Sequence, residues 1–186
     1  MLHHCTHTIL SEVNQYIQSK SNVKEPAISL SILGNSQVES KSSKGIIMRL
    51  VDITSVELCS NPTQYVPQAD GFILRKRPEA FNLYFLFSTD YKLSDLLKNL
   101  ELLAYVAAFF QSKSHFDTSN TPVLQELGIE SFSVELVKMT PSEKSILWKT
   151  LHTPYSPSLL YKVGLIFIGD ATMGLKVVSA FSSRER

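Results

Sequence analysis

His3, His4, Cys5 and His7 are the residues whose types come nearest to metal chemistry. On a helix, His3 and His7 would share a face at i, i+4, and a thiolate beside imidazoles suits zinc. No second Cys/His pair follows, and a frayed or surface segment is the plainer reading of so terminal a group. His115 and His152 stand alone. Asp52, Glu57 and Glu135 could work as a general acid and base only if folding brought them together. They read as exposed strand residues. Arg75-Lys76-Arg77, beside Pro78, is the densest basic run and reads as a solvated loop, since a steering field needs charge gathered on one face.

Phe81, Tyr84, Phe85 and Phe87 could offer faces for stacking bases. No Lys or Arg interleaves with them, so core packing is the expectation. Trp148 reads as the core anchor of its helix rather than the wall of a ligand site. The seven glycines are scattered and form neither G-x-G-x-x-G nor a P-loop, and G-x-S-x-G and H-E-x-x-H are also missing. No catalytic, cofactor-binding or metal-binding residue is assigned, and no cofactor is expected. Two other classes stay open: a small metal-dependent hydrolase using His3, Cys5 and His7, and a ligand-binding domain using the aromatic strand. Metal analysis with and without the N-terminal residues separates the first of these from a structural protein.

The elements that must position these residues follow from periodicity. Ile9, Val13 and Ile17 recur at i, i+4, i+8 and predict a helix over Thr6–Ser19. Ile28, Leu30 and Ile32 alternate with serines as a half-exposed strand. Asn35–Lys44 reads as loop, and Ile46–Leu58 as a long strand with room for a bulge. Ser60–Glu79 carries Pro62, Pro67, Gly71 and Pro78 and reads as one long irregular loop, either functional or mobile. Phe81–Phe87 is apolar at nearly every position, as in a strand covered on both faces. Leu93–Gln111 predicts a helix with a wide apolar stripe of Leu93, Leu96, Leu97, Leu100, Leu103, Ala104 and Ala107, and Phe109 and Phe110 at its end. A short turn over Thr121–Leu127 and a half-buried strand over Ser131–Leu136 follow. Thr140-Pro141-Ser142-Glu143 is a capping box opening a short helix. Leu159–Ile168 is an apolar strand, Gly169-Asp170 a turn and Leu175–Phe181 a last short strand.

The fold class expected is α/β (α+β): a single mixed sheet with about three helices packed on it. Residues 1–186 read as one domain, with its core over about 5–168 and an extension over 169–186. Net charge is +1, which gives no basic field for nucleic acid. Hydrophobic residues make 44% and charged residues 19% of the chain, apolar enough that a partner could cover part of the surface. Cys5 and Cys59 read as free thiols of a cytoplasmic protein. No signal-peptide pattern and no apolar run of ~20 residues is present.

Several stretches, in their order and spacing, carry a resemblance. They are Asn82-Leu83-Tyr84-Phe85-Leu86-Phe87, Phe109-Phe110-Gln111, Asn120-Thr121-Pro122, Leu147-Trp148 with Leu151, and Tyr155-Ser156-Pro157-Ser158-Leu159-Leu160-Tyr161-Lys162-Val163. Together they resemble the N-terminal domain of the cap (tail-terminator) proteins of contractile injection systems of the antifeeding-prophage and Photorhabdus-virulence-cassette type. The matching residues are Asn82, Tyr84, Phe87, Phe109, Phe110, Pro122, Trp148, Tyr155, Pro157, Ser158 and Tyr161, all structural. The resemblance implies a homo-oligomeric ring, a hexamer, on the end of the inner tube and sheath opposite the baseplate, where it stops growth. Its implied partners are itself, the tube protein and the sheath protein, with no nucleic acid, small-molecule substrate or catalytic site. It implies assembly in the cytoplasm into a phage tail-like particle, either released or membrane-associated. A baseplate or tube-adaptor component of the same machine is the alternative.

Overall fold

A computed structural model describes residues 2–21, 26–31, 45–56, 63–68, 71–76, 79–89, 96–167 and 175–177. The first half of the chain forms α1 (Leu2–Lys20), β1 (Ile28–Leu30), β2 (Ile46–Val56), β3 (Thr63–Gln68), β4 (Gly71–Lys76) and β5 (Glu79–Thr89). The second half forms α2 (Leu96–Ser112), β6 (His115–Asp117), α3 (Val123–Glu126), β7 (Ser131–Leu136), α4 (Pro141–Thr150), β8 (Ser158–Phe167) and β9 (Leu175–Val177). Glu57, Cys59, Arg77, Tyr91, Leu93, the Asn35–Lys44 loop and the Gly169-Asp170 turn lie outside the described residues.

Six strands form a mixed sheet in the order β1-β2-β5-β8-β7-β6, with β1 parallel to β2 and the other neighbours antiparallel. This is the α+β architecture that the sequence predicts. Its centre is the apolar strand β5, paired over its whole length with β8. Alternation splits β5 between two cores. Leu83, Phe85 and Phe87 join α1 and α2 on one face, while Leu86 meets Trp148 of α4 and Leu160 on the other. The double coverage explains why β5 is apolar on nearly every position.

The long strand β2 carries the bulge its length suggests. Its register against β5 shifts between Leu50 and Asp52, leaving Val51 as the extra residue. Ile46, Met48 and Leu50 therefore face the larger core, whereas Val51 packs with the Trp148 cluster. Gly45 precedes β2 at φ +117, and a Cβ there would stand 2.5 Å from Leu102 Cδ1. Only glycine fits this entry without strain.

Two expectations are corrected. The loop expected over Ser60–Glu79 contains the hairpin β3–β4, paired from Thr63↔Lys76 to Gln68↔Gly71 and joined by β9 in a second, three-stranded sheet. The β-prone Tyr65-Val66 and Phe72-Ile73-Leu74 outweigh the prolines, because Pro67 lies on β3, an edge strand that tolerates a missing N–H. The polar stretch after α2 also holds a short strand, β6. Finally, α2 is rotated from the expected stripe. Leu102, Leu103, Val106, Phe109 and Phe110 are buried, while Leu96, Leu97, Leu100 and Ala104 are exposed. Two adjacent phenylalanines at the helix end bury more area than the leucines at its start, and they set the rotation.

The α4 capping box forms as expected. The Thr140 hydroxyl accepts the Glu143 N–H at 3.3 Å and the Glu143 carboxylate accepts the Thr140 N–H at 2.7 Å. These bonds from Thr140 hold the Glu143 carboxyl below its ordinary range.

At each end of the main sheet an asparagine amide caps the outermost short strand, while β2 beyond Met48 has no strand on its outer side among the described residues. At the β1 edge, Asn14 of α1 accepts the Ile28 N–H at 2.9 Å and donates to the Ile28 carbonyl at 3.2 Å. At the β6 edge, Asn120 accepts the Asp117 N–H at 3.2 Å and donates to the His115 carbonyl at 3.0 Å. Because Ser114 turns its carbonyl inward to Val134, His115 and Asp117 turn theirs outward. Each asparagine thus stands in for the next strand, a way of blunting an edge. Replacing Asn14 by alanine leaves two buried backbone groups unpaired and is expected to cost about 2–4 kcal/mol, read by denaturant unfolding. Asn120→Ala, on an exposed edge, should cost less than half as much.

Candidate functional site

The residues with chemical potential do not converge. On α1 the helix turns Cys5 into the core while His3 and His7 stay exposed. Burial pushes the Cys5 thiol up to about 12, so it is a neutral side chain packed beside Ile9 rather than a thiolate. Among the described residues, no group of three or more His, Cys, Asp or Glu could hold a metal ion. His115 Nε2 lies 3.8 Å from Asp117 Oδ2 on an exposed strand, and His152 sits in the turn after α4 at φ 50. Asp52 on β2 and Glu135 on β7 are three strand spacings apart, roughly 14 Å. Glu135 instead bonds Lys162 at 2.8 Å, and this bond raises the Lys162 amine above its ordinary range.

The residues carrying the family resemblance fall into two groups. Phe87, Phe109, Phe110 and Tyr161 form an aromatic cluster between the sheet and α2. The Phe110–Tyr161 centroids are 4.4 Å apart, Phe109–Phe110 5.1 Å and Phe87–Phe110 5.7 Å. Edge-on and tilted contacts of this kind add to the area they bury. Burial pushes the Tyr161 phenol up to about 12. On the opposite face Trp148 packs against Tyr155 at 5.8 Å, and Pro157 presents its carbonyl to the Thr89 N–H at 3.0 Å beside Ser158, the first residue of β8. Tyr84 pairs in register with Lys162, and Asn82 with Gly164, while Pro122 precedes α3. Trp148 and Tyr155 border an open pocket beside α4, and the others sit within the packing of the sheet and its helices.

Surface offers a clearer candidate. Leu97 is 81% exposed, Leu96 55% and Leu100 39%, and all three lie on the outward side of α2. The N-terminal half of α2 thus has one apolar face in the core and another facing out. Periodicity picks out these leucines but assigns them to the wrong side. Nothing in their spacing corrects it, since apolar residues ring the whole helix. Just past the end of α2, Lys113 ties the packing together, bonding Glu12 at 2.6 Å and the Thr121 hydroxyl at 2.8 Å. Among the described residues no helix is long and apolar enough to cross a membrane.

Against known proteins, a family model described as the Pvc16 N-terminal domain matches residues 4–178. In fold, the chain is similar to the sheath/tube terminator, in its extended state, of the PVC extracellular contractile injection system. The TM-score is 0.60 and the identity 14%, over 96% of this chain and 62% of that one. It is also similar to the tube-terminating cap of the anti-feeding prophage, with a TM-score of 0.54 and 12% identity, over 92% of this chain and 58% of that one. The chain therefore spans about three-fifths of the length of either protein. No protein of curated function matches it by sequence.

Proposed function

Because this chain belongs to the Pvc16 N-terminal domain family, we propose that it is the structural cap of a contractile injection system, ending the inner tube and sheath opposite the baseplate. The family match over residues 4–178, on a fold similar to two tube terminators, is the observation that carries this reading. A head-to-tail stack never closes on itself, so its growth stops only when a subunit offers one face like the tube's and another unlike it. Such a subunit works through surfaces and needs no reaction centre, and we read the chain as a non-enzyme without a cofactor. It acts as one domain over residues 1–186, as a ring of copies, six as the family resemblance implies. Its partners are the tube and sheath proteins, and it assembles in the cytoplasm into a tail-like particle.

A ring needs lateral contacts, and the outward leucines of α2 supply one side of them. Strand addition by a partner arm is blocked at β1 and β6, whose outer sides are plugged by Asn14 and Asn120. The three-stranded sheet, with its edge strand β3, is where such an arm would dock. Gold-labelled chain added to particles that lack it is expected at the end opposite the baseplate only. Label along the sheath, or at the baseplate, would reject the cap role, and the second outcome would favour an adaptor.

A further inference from the structure

Helix α1 begins at Leu2, ahead of the Thr6 start that periodicity predicts, so His3 and His7 fall on one continuous helix. Residues four apart on a helix stand one above the other, with about 5–6 Å between their Cβ atoms. Both imidazoles are exposed, whereas Cys5 and Thr8 are buried. The pair therefore lies on the solvent side of the helix, away from the core that takes Cys5. The His4 ring rests against His3 with centroids 3.8 Å apart, which narrows the rotamers open to His3. The cap reading gives these imidazoles no task.

Two neutral imidazoles at this separation can close on one ion at about 2.0–2.1 Å each. The spacing is that of the metal-binding pair in H-E-x-x-H, but His4 stands where that motif has its glutamate. No acidic residue lies in the first turn of α1, and Glu12, further along, is bonded to Lys113 at 2.6 Å. The pair thus has nitrogen ligands without a general base, so the chemistry it offers is binding rather than hydrolysis. Imidazole selects transition metals over magnesium and calcium, which take oxygen ligands. We propose that His3 and His7 chelate one divalent ion of the zinc and copper class on the outer side of α1, with water in its remaining positions. Two protein ligands make an open site, and the positive end of the helix opposes a cation there by roughly a few-fold in affinity. An ion held at i, i+4 also fastens the first turns of α1, which seat Cys5 and Ile9 in the core.

Zinc is titrated into the full chain, followed by calorimetry and by the imidazole resonances, with magnesium as the control. One zinc per chain should bind and shift the His3 and His7 ring signals, and magnesium should shift neither. His3→Ala and His7→Ala should each weaken zinc at least tenfold, because either loss leaves a single imidazole. Both side chains are exposed, so the far-UV circular dichroism of each variant should match the parent. Zinc should raise the Tm of the parent and of neither variant, since an ion that binds the folded chain stabilises it by mass action. No binding at millimolar zinc would overturn the proposal, and so would equal binding of magnesium. Dependence on only one histidine, or on neither, would overturn it as well, since a pair on one ion must fail from either side.

Discussion

Phe87→Ala is expected to lower the stability of the chain by about 4 kcal/mol, the range of fully buried phenylalanine truncations. Phe87 has no exposed surface and stands on the central strand β5, between Met48 in register on β2 and Leu159 on β8. Its ring meets Phe110 at 5.7 Å and Tyr161 at 5.8 Å, both edge-on. The void left by truncation is walled by rings and strands that cannot collapse into it without moving α2, so the cavity persists. For a chain of this size the loss corresponds to roughly 10 °C in Tm. A drop of only a degree or two would mean that α2 does not lock onto the sheet through its terminal phenylalanines.

The double variant Leu97→Glu/Leu100→Glu should behave in the opposite way. Both leucines are on the outward side of α2, so stability should stay within about 0.5 kcal/mol of the parent. Association between copies should fall by more than a hundredfold, because two charges would be forced into a dry contact at several kcal/mol. Analytical ultracentrifugation alongside thermal unfolding reads both quantities on one sample. Intact assembly with unchanged stability would remove α2 from the lateral contact. Lost stability with lost assembly would show that these leucines belong to the core.

These two variants also mark where the sequence is legible. Phe81–Phe87 declares its burial on both faces, because a short strand that is apolar at nearly every position has no polar side to turn to water. The bulge in β2 and the capping box of α4 are equally visible, since each rests on local chemistry. In Leu93–Gln111 the periodicity establishes a helix and misjudges its orientation. Where every side of a helix carries an apolar residue, tertiary bulk at Phe109 and Phe110 chooses the buried one, and that choice is not written locally. The β3–β4 hairpin is hidden for a related reason. Pro67 signals a break unless its strand lies at a sheet edge, and edge position is a property of the whole fold. The edge-plugging roles of Asn14 and Asn120 depend on contacts between separate elements, and single residues within a helix and a turn give no hint of them. The surroundings of Trp148 are illegible in the same way: it reads as an anchor, and that its buried indole N–H finds no partner is decided only in three dimensions.

The cap role itself is tested most directly by tube length. Tube and sheath proteins are assembled with and without the chain, and particle lengths are measured by electron microscopy. With the chain present, lengths should cluster at one value, each particle carrying it at a single end. Without it, lengths should spread broadly and increase with subunit concentration. Identical length distributions in the two preparations would contradict the account.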